Sequence, residues 1–151
     1  RNVALRHEAL PLPEAPDDLR PVGAAVFLLN RGSALLDGCN VSSLRGMGLW
    51  GVQRAVVEAR RCEIGPIGRS GVALFGKATA RLTECRLAGC SIHGACARGD
   101  STLQLERCCV EGCARRGVYA YQRASMIRRQ CLVTGTGDTT RAAVEAPTSK
   151  L

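Results

Sequence analysis

The sequence is poor in aromatic residues and in lysine, and it contains no long apolar run. Aromatic side chains account for only 3% of the 151 residues although hydrophobic residues reach 46%, so any core must be built from small aliphatic side chains and cysteine. No stretch approaches the roughly 20 apolar residues that span a bilayer, which argues against a membrane protein. Because Lys77 and Lys150 are the only lysines, arginine carries almost all of the net charge of +8, and this balance favours acidic partners.

Aspartate and histidine are also scarce, which weakens an enzymatic interpretation. The aspartates are spread along the chain: Asp17, Asp18, Asp37, Asp100 and Asp138. A general acid–base pair or a calcium site needs carboxylates clustered on one surface. His7 and His93 have no evident catalytic partner, and we expect both to be surface turn residues. The sequence therefore predicts no catalytic site and no cofactor.

Three columns of residues recur every 23 positions. The first column is a cysteine ladder: Cys39, Cys62, Cys85, Cys108 and Cys131. An aliphatic residue follows each cysteine by two positions: Val41, Ile64, Leu87, Val110 and Val133. A glycine follows the first four cysteines by nine positions: Gly48, Gly71, Gly94 and Gly117. Agreement of three columns over several periods indicates a repeat protein.

Each period alternates apolar and polar residues, as β-strands with one buried face do. Leu103-Gln104-Leu105 and Gly117-Val118-Tyr119-Ala120 are examples, and no segment has a helical period. Three short strands in every 23 residues predict an all-β fold, a right-handed single-stranded parallel β-helix (solenoid) of about five to six coils.

The inward positions of these strands form columns of small and medium aliphatic residues. The columns are Ala34, Val57, Ala80, Leu103 and Met126; Leu36, Ala59, Leu82 and Leu105; Val26, Leu49, Val72, Ala95 and Val118; and Leu28, Gly51, Leu74, Ala97 and Ala120. Like side chains are expected to stack about 4.8 Å apart. The glycine before the last strand fits a bend whose backbone conformation other residues resist.

Nine cysteines are compatible with a metal site, with disulfides or with buried free thiols. Besides the ladder, Cys90 and Cys113 continue a column that begins with Leu44 and Ile67, so cysteine replaces an aliphatic residue there. This substitution favours reduced thiols that act as small hydrophobic side chains. The absence of a CxxC pair argues against zinc.

Two further cysteines, Cys96 and Cys109, fall in outward columns. We expect them to be the most accessible thiols of the chain.

The regular coils are expected over residues 24–146 of a single β-helix domain, 1–151. Val3 and Leu5 are expected to belong to a strand that precedes them. Between the two lies a proline-rich insertion loop, residues 8–22, which contains Pro11, Pro13, Pro16 and Pro21.

Residues 147–151 are expected to form a C-terminal tail. Neither end of the repeat shows a capping helix, although unpaired strand edges of a solenoid need a cover. We therefore expect the chain to be a fragment of a larger protein, or to be contacted by partners at its uncapped ends.

Charges of alternating sign occupy several outward positions. Arg61, Glu84 and Arg107 form one column, and Glu58 and Arg81 form a neighbouring pair, which predicts cross-strand ion pairs on a solvated face. The absence of a long single-sign stripe argues against nucleic acid as a partner. An acidic protein surface is expected to dock near the arginines that crowd the last coils: Arg115, Arg116, Arg128 and Arg129.

All five aromatic residues point outward from one predicted sheet. Together with an arginine they form two columns: Phe27, Trp50 and Tyr119 in the first, and Phe75, Arg98 and Tyr121 in the second. Aromatic side chains combined with arginine are typical of a protein-recognition surface. Two alternatives remain, namely that a missing part of the same protein covers this face or that its rings stack on sugars.

The motif in Leu82-Thr83-Glu84-Cys85-Arg86-Leu87 with Gly94, and again in Leu105-Glu106-Arg107-Cys108-Cys109-Val110 with Gly117, resembles the repeats of the pectate-lyase-like superfamily. Its cysteine-rich form is most similar to the repeats of intracellular members such as F-box proteins and Shc SH2-binding proteins. The resemblance implies a right-handed β-helix. Lyases and galacturonases of this superfamily use clustered aspartates, which this sequence lacks, and no F-box segment is present.

These observations predict a non-catalytic scaffold module that mediates protein–protein interaction in a larger assembly, such as a ciliary or cytoskeletal complex or an adaptor. The alternative is a carbohydrate-binding or carbohydrate-active module of lyase or hydrolase type. Unpaired cysteines indicate a reducing compartment, either cytoplasm or cilium. If Ser149-Lys150-Leu151 is the true C-terminus, it is a peroxisomal address.

Overall fold

The computed structural model describes residues 4–7 and 23–135. Within these residues the chain forms sixteen β-strands and no helix. Consecutive strands lie in three different sheets, and every strand pairs in parallel with its equivalent one coil away. Leu103 pairs with Ala80 on one side and Met126 on the other, 23 residues away in each direction. The predicted all-β parallel solenoid is therefore confirmed.

Sheet A contains six strands. They are β1 (Ala4–His7), β4 (Asn40–Ser43), β7 (Glu63–Ile67), β10 (Arg86–Ala88), β13 (Cys109–Glu111) and β16 (Leu132–Thr134). Leu5 pairs with Val41, which confirms a strand before the regular repeat. His7 lies in β1 and not in a turn. Val3 lies outside the described residues, as do residues 8–22 and 136–151, which include the predicted insertion loop and tail.

Sheets B and C contain five strands each. Sheet B consists of β2 (Ala24–Leu28), β5 (Met47–Gly51), β8 (Val72–Leu74), β11 (Ala95–Ala97) and β14 (Val118–Ala120). Sheet C consists of β3 (Ser33–Asp37), β6 (Val56–Arg60), β9 (Thr79–Thr83), β12 (Thr102–Glu106) and β15 (Ser125–Arg129).

The core is the lumen that the three sheets enclose. It is filled by the predicted inward columns, and Leu49, Leu82 and Val110 are completely buried. The first described coil is less enclosed, since Val26, Leu28 and Leu36 are only partly buried while packing against this cluster. Small side chains suffice because a narrow lumen leaves room for little else, which explains why the core needs no aromatic residue.

The repeating glycines are required because neighbouring coils pack closely together. The prediction that these glycines adopt a backbone conformation that other residues resist is wrong. Gly48, Gly71 and Gly94 do not have a positive φ. A Cβ on Gly71 would lie 2.6 Å from the carbonyl oxygen of Gly94, and one on Gly48 would lie 2.4 Å from that of Gly71. The same carbonyls accept hydrogen bonds from amides of the preceding coil, since the Leu49 amide donates to the Gly71 carbonyl at 2.8 Å and the Val72 amide donates to the Gly94 carbonyl at 2.9 Å. Glycine therefore lets neighbouring coils approach each other at this position.

Left-handed backbone occurs instead directly after strands of sheet A, at Gly89, Gly112 and Gly135, and at the two other corners of each coil. Between sheets B and C it is adopted by Asn30, Gln53, Gly76, Gly99 and Gln122. Between sheets C and A it is adopted by Gly38, Arg61, Glu84, Arg107 and Gln130. The column Arg61, Glu84 and Arg107 was expected on an outward strand face, but it occupies this second corner.

A register shift in sheet A changes the column that leads to Cys90. Ile67 bridges to Cys90 as predicted, but its partner on the other side is Ser43, because the pairing of β4 with β7 shifts between Val41 and Ser43. Leu44 is consequently 62% exposed, and the prediction that it lies in this buried column is wrong. Ser43 is fully buried and accepts a hydrogen bond from the Gly46 amide at 3.1 Å.

The cysteine ladder follows the corner between sheets C and A. All nine cysteines lie within the described residues and are free thiols. Cys85 donates to the carbonyl of Thr83 at 3.4 Å and approaches that of Ala59 at 3.5 Å. Cys108 repeats this arrangement with Glu106 and Leu82, both at 3.4 Å. The ladder thiols thus fill the lumen and also donate to carbonyls at the end of sheet C.

The middle thiol of the ladder is held in its protonated form. Hydrogen bonds to the neighbouring Cys108 and Cys62 thiols raise the pKa of Cys85, and burial raises it further. Together with the carbonyl contacts, this describes an internal stack of hydrogen-bonded thiols. Among the residues that the structure describes, no group of three or more histidine, cysteine or acidic side chains could hold a metal ion.

Candidate binding face on sheet B

The outer surface of sheet B carries all five aromatic side chains, and we call it the sheet B face. It consists of three outward columns: Ala24, Met47, Ser70, His93 and Arg116; Phe27, Trp50, Ala73, Cys96 and Tyr119; and Leu29, Val52, Phe75, Arg98 and Tyr121. Pairing of Phe27 with Trp50 and of Cys96 with Tyr119 confirms the predicted alignment. None of these residues is acidic.

The part of this face nearest β2 is apolar. The rings of Phe27 and Trp50 lie 4.7 Å apart, and the ring of Phe75 meets Trp50 edge-on at 6.2 Å. Phe27 and Leu29 remain 49% and 47% exposed. Aromatic pairs at these distances stabilise each other, so this cluster is both ordered and accessible.

The part nearest β14 is aromatic and cationic. Tyr119 stacks on Tyr121 at 4.9 Å and on His93 at 5.1 Å. The guanidinium of Arg116 lies 4.1 Å from the centre of the Tyr119 ring, and that of Arg98 lies 5.5 Å from the centre of the Tyr121 ring. Both distances are within the range of cation–π attraction. The face therefore changes from apolar to cationic along the axis of the solenoid.

Small side chains between the two parts are covered by the surrounding rings. Met47, Ala73 and Cys96 form a second buried cluster, against which Trp50 and Tyr119 pack. Cys96 is therefore 6% exposed although it points away from the lumen, and burial raises the pKa of its thiol to about 11. The prediction of an accessible Cys96 is wrong because column position does not reveal cover by neighbouring rings.

The exposure of Cys109 agrees better with the prediction of an accessible thiol. This residue lies in β13 of sheet A and is partly exposed, as is Cys131. The remaining seven cysteines are buried.

His93 is half-buried, so the expectation of an isolated surface histidine is wrong. It lies in the loop between β10 and β11 and packs on Tyr119. Burial lowers the pKa of its imidazole, and the positive charges of Arg116 and Arg115 lower it further. His93 is therefore neutral near pH 7.

Two polar atoms on the sheet B face have no hydrogen-bond partner. They are Nε1 of Trp50 and Nδ1 of His93, and they are the only such buried side-chain atoms found in the described part of the chain. A buried polar atom without a partner costs about 1–3 kcal/mol, so native proteins contain few of them.

An open pocket lies at the cationic end of the face. It has a volume of about 380 Å³ and is lined by His93, Arg115, Arg116 and Tyr119. The loop that carries the two arginines is fixed to the coil below, because the Arg115 amide donates to Ile92 at 2.9 Å and the Gly94 amide donates to Arg116 at 3.0 Å.

The outer surfaces of sheets A and C are different, since they carry acidic as well as basic side chains. On sheet A, Arg86 contacts Glu63 at 2.9 Å and also pairs with Glu111. On sheet C, Arg81 lies 3.6 Å from Glu106. Exposed pairs of this kind add little stability but neutralise a surface.

Cross-strand ion pairs were predicted between two sets of residues, and the structure alters both. Arg107 contacts Glu84 at 3.1 Å as expected, whereas Arg61 pairs with Asp37. Glu58 and Arg81 occupy paired positions on β6 and β9. The expected bridge between them is wrong, because Glu58 pairs with Arg60 and Arg81 with Glu106.

The described aspartates are also engaged by arginine. Asp37 pairs with Arg61, and Asp100 accepts hydrogen bonds from Arg123 at 2.7 and 2.9 Å. The neighbouring Arg123 lowers the pKa of Asp100. Asp17, Asp18 and Asp138 lie outside the described residues.

The sequence analysis did not identify a short stripe of positively charged residues. Arg31, Arg54 and Lys77 stack on one another at the corner between sheets B and C, where the amides of Arg54 and Lys77 donate to the coil below at 2.8 and 2.6 Å. The signal was present in the sequence, because the three residues are separated by the 23-residue period. The stripe borders the sheet B face.

The four arginines expected to receive an acidic partner lie on different elements. Arg115 and Arg116 precede β14 of sheet B, while Arg128 and Arg129 belong to β15 of sheet C. Only the first pair borders the sheet B face.

The family model of the right-handed β-helix region matches residues 19–148, which is most of the chain. The chain belongs to the right-handed β-helix family. Its 23-residue coils and three parallel sheets are the solenoid that this name describes. No curated protein and no solved structure matches this right-handed β-helix significantly. No helix long and apolar enough to cross a membrane occurs in residues 4–7 and 23–135.

Proposed function

We propose that this β-helix is a non-catalytic scaffold module that binds another protein through the sheet B face. The observation that carries the proposal is the contrast between the three outer surfaces. Sheets A and C carry both arginine and glutamate, whereas the columns of the sheet B face combine five aromatic residues with arginine and contain no acidic residue. Tryptophan, tyrosine and arginine are the residues that most often dominate the binding energy of protein interfaces.

The preferred partner is a protein surface with an apolar residue beside an acidic group. Phe27, Leu29 and Trp50 offer apolar contact area, and Arg98 and Arg116 offer positive charge at the other end. An apolar anchor flanked by complementary charge provides affinity from the first part and orientation from the second.

Carbohydrate binding is the competing proposal, and the exposed aromatic rings favour it. Phe27 and Tyr121 could stack on sugar rings. A carbohydrate-active site would also require carboxylates, and the described aspartates Asp37 and Asp100 are paired with arginine. Protein recognition accounts for more features of the sheet B face, because it explains the arginines near β14 as well as the aromatic rings.

The test compares two doubly substituted proteins. Phe27→Ser with Trp50→Ser removes the apolar part of the sheet B face, and Leu35→Ser with Val56→Ser removes exposed apolar side chains of sheet C, which are 65% and 47% exposed. Each protein is immobilised and incubated with extract of the source cells, bound proteins are quantified by mass spectrometry, and a glycan array is probed in parallel.

We expect the first variant to lose the proteins that the unsubstituted chain retains, while the sheet C variant keeps them. Circular dichroism establishes that both variants are folded. Retention of the same proteins by the Phe27/Trp50 variant, together with loss of a glycan signal, would show that the face binds carbohydrate instead.

We propose that the module belongs to a larger assembly, for example a ciliary or cytoskeletal complex or an adaptor, with additional contacts at the ends of the solenoid. Nine free thiols support a reducing compartment such as the cytoplasm or the cilium. Fluorescent tagging at the N-terminus, which leaves Ser149-Lys150-Leu151 unmodified, distinguishes these locations from the peroxisome.

A further inference from the structure

The positively charged stripe at the corner between sheets B and C runs beside an apolar column of the sheet B face. Each member of the stripe follows a member of this column, Leu29, Val52 or Phe75, by two positions. Equivalent residues of neighbouring coils stack, because the amides of Val52 and Phe75 donate to the preceding coil at 3.0 and 2.9 Å. An apolar row and a cationic row therefore lie side by side along the solenoid axis, each with a step of about 4.8 Å.

Arg31 and Arg54 are the most available charges of the stripe. Both side chains are exposed, and they share an open pocket of about 310 Å³ with Asn30 and Gln53. In the described part of the chain, neither guanidinium forms an ion pair. The backbone of the corner is held by the ladder of the solenoid, since the Arg54 amide donates to Asn30 at 2.8 Å. Two arginines and two amide side chains therefore offer donors to an external carboxylate.

An acidic residue marks the other end of the stripe. Asp100 follows Lys77 by one period and accepts hydrogen bonds from Arg123 at 2.7 and 2.9 Å. Arg123 lowers the pKa of Asp100, and Lys77 contributes a smaller effect in the same direction. The positive charge available to a ligand is consequently concentrated at Arg31 and Arg54, next to the apolar part of the sheet B face.

The step of the two rows favours one ligand conformation. Three equivalent positions of either row span about 9.6 Å, which is two strand spacings. Three successive side chains on one face of an extended peptide span about 13.6 Å. In an α-helix, residues i, i+3 and i+7 span about 10.5 Å, and the residues that directly follow them form a second row about 100° around the helix. A helix therefore matches both rows, whereas an extended strand matches neither.

We infer that this corner binds an acidic amphipathic helix of the partner protein, which lies parallel to the solenoid axis. The inference rests on the proposed function and specifies the partner segment. Acidic side chains at i, i+3 and i+7 contact Arg31, Arg54 and Lys77. The apolar side chains that follow them pack on the row that begins with Leu29, which is 47% exposed.

The experiment uses fluorescein-labelled helical peptides of about 20 residues in an alanine–glutamine background. The first peptide carries glutamate–leucine pairs that begin at i, i+3 and i+7. The second has glutamine in place of each glutamate, and the third has the same composition as the first with the pairs placed consecutively, as in a strand pattern. Affinity for the whole chain is measured by fluorescence anisotropy at low salt, and circular dichroism reports the helicity of each peptide.

We expect the first peptide to bind about tenfold more tightly than either of the others, because each of three exposed ion pairs contributes a factor of a few. Arg31→Gln with Arg54→Gln removes most of this preference. Arg60→Gln with Arg86→Gln removes the same formal charge from sheets C and A and leaves the preference intact. Circular dichroism establishes that both variants are folded.

Several results would overturn the inference. These are equal binding of the glutamate and glutamine peptides, equal or tighter binding of the strand-pattern peptide, and an equal loss of affinity in the Arg60/Arg86 variant. Vesicles of phosphatidylcholine and phosphatidylserine are tested in parallel. Binding to these vesicles that requires Arg31 and Arg54, without discrimination among the peptides, would assign the corner to an anionic membrane instead.

The outcome is separable from that of the proposed function. If the peptides are not discriminated but the Phe27/Trp50 variant still loses its cellular partners, only the inference about the acidic helix fails. If that variant keeps its partners, the proposed function fails.

Discussion

In this solenoid the distance to the next coil determines how large a side chain can be at a buried position. At Gly71 the neighbouring carbonyl of Gly94 would lie 2.6 Å from a Cβ, a separation at which the backbone itself must move. At Gly51 a Cβ would meet only side-chain methyl groups, the nearest being Cδ2 of Leu74 at 3.2 Å. Two buried glycines therefore differ in what an added methyl group would contact.

We expect Gly71→Ala to lower the free energy of unfolding by about 1–3 kcal/mol, because it overpacks backbone against backbone. Gly51→Ala should change it by less than about 1 kcal/mol, since side chains can adjust and the unfolded chain loses entropy. Urea unfolding followed by circular dichroism measures both. Equal destabilisation by the two substitutions would contradict the role assigned to the Gly94 carbonyl.

His93 makes stability depend on pH in a known direction. Burial and two arginines lower its pKa in the folded chain below the ordinary value of 6.5. As the pH falls through about 6.5, the unfolded chain takes up a proton first, so the folded state loses stability until the pH is below the folded pKa.

The substitution His93→Gln should therefore flatten the decrease in unfolding free energy between pH 7.5 and pH 5.5. The difference between this variant and the unsubstituted chain removes the contribution of other titrating groups. An unchanged slope in His93→Gln would show that this imidazole is protonated equally easily in both states.

Residue identity at inward positions was predictable because a period of two residues within each strand and of 23 residues between coils determines which side chains meet. The sequence did not reveal which outward side chains become covered. Cys96 is buried by rings that belong to other coils. Leu44 is exposed because a one-residue register shift in β7 brings Ser43 into its place.

At the scale of the elements, the three sheets have the same backbone and different outer surfaces. Sheet B has short strands whose outward side chains include the rings that cover Cys96 in β11. Sheet A leaves Cys109 of β13 partly exposed. Cysteine thus occupies an outward position in both sheets, but neighbouring side chains bury it in sheet B and leave it partly exposed in sheet A.

We expect maleimide to label Cys109 and Cys131 first under native conditions, and Cys96 much more slowly, because the Cys96 thiol is buried and its pKa is raised to about 11. Tyr119→Ala should accelerate labelling of Cys96 by removing its register neighbour. Peptide mapping by mass spectrometry measures each site. Leu35→Ala on sheet C serves as the control and should not change the rate.

The existence and direction of the strands were predictable from alternation, whereas the functional character of each face emerged only when columns were combined. The five aromatic residues were correctly assigned to one sheet, since 23-residue spacing aligns them. Their contact with His93 was not foreseen, because this residue precedes the strand and lies in a loop. The ion pairs of Glu58 and Arg81 depended on side-chain directions that spacing does not specify.

The whole molecule is a linear stack in which each coil contacts mainly its neighbours. Stability in such a stack is a sum of coil and interface contributions, and coils with a neighbour on both sides are the most protected. Val26 and Leu28 in the first described coil are partly buried, while Val72 and Leu74 in the middle are fully buried.

Hydrogen exchange should therefore be slowest for the amides of β8, β9 and β12 and faster for those of β2 and β3. Mass spectrometry of the intact chain after peptic digestion can follow this gradient. Uniform protection from β2 to β15 would instead indicate that the solenoid opens as one cooperative unit.

The 23-residue register also has a consequence for how such a protein can diverge. Duplication of one coil in the gene would insert one strand into each sheet without rotating any column. The distance between Trp50 and the pocket at Tyr119 would grow by one strand spacing, about 4.8 Å. Related solenoids with more or fewer coils could thus bind longer or shorter ligands. The separation of the two contact sites would change only in multiples of one strand spacing.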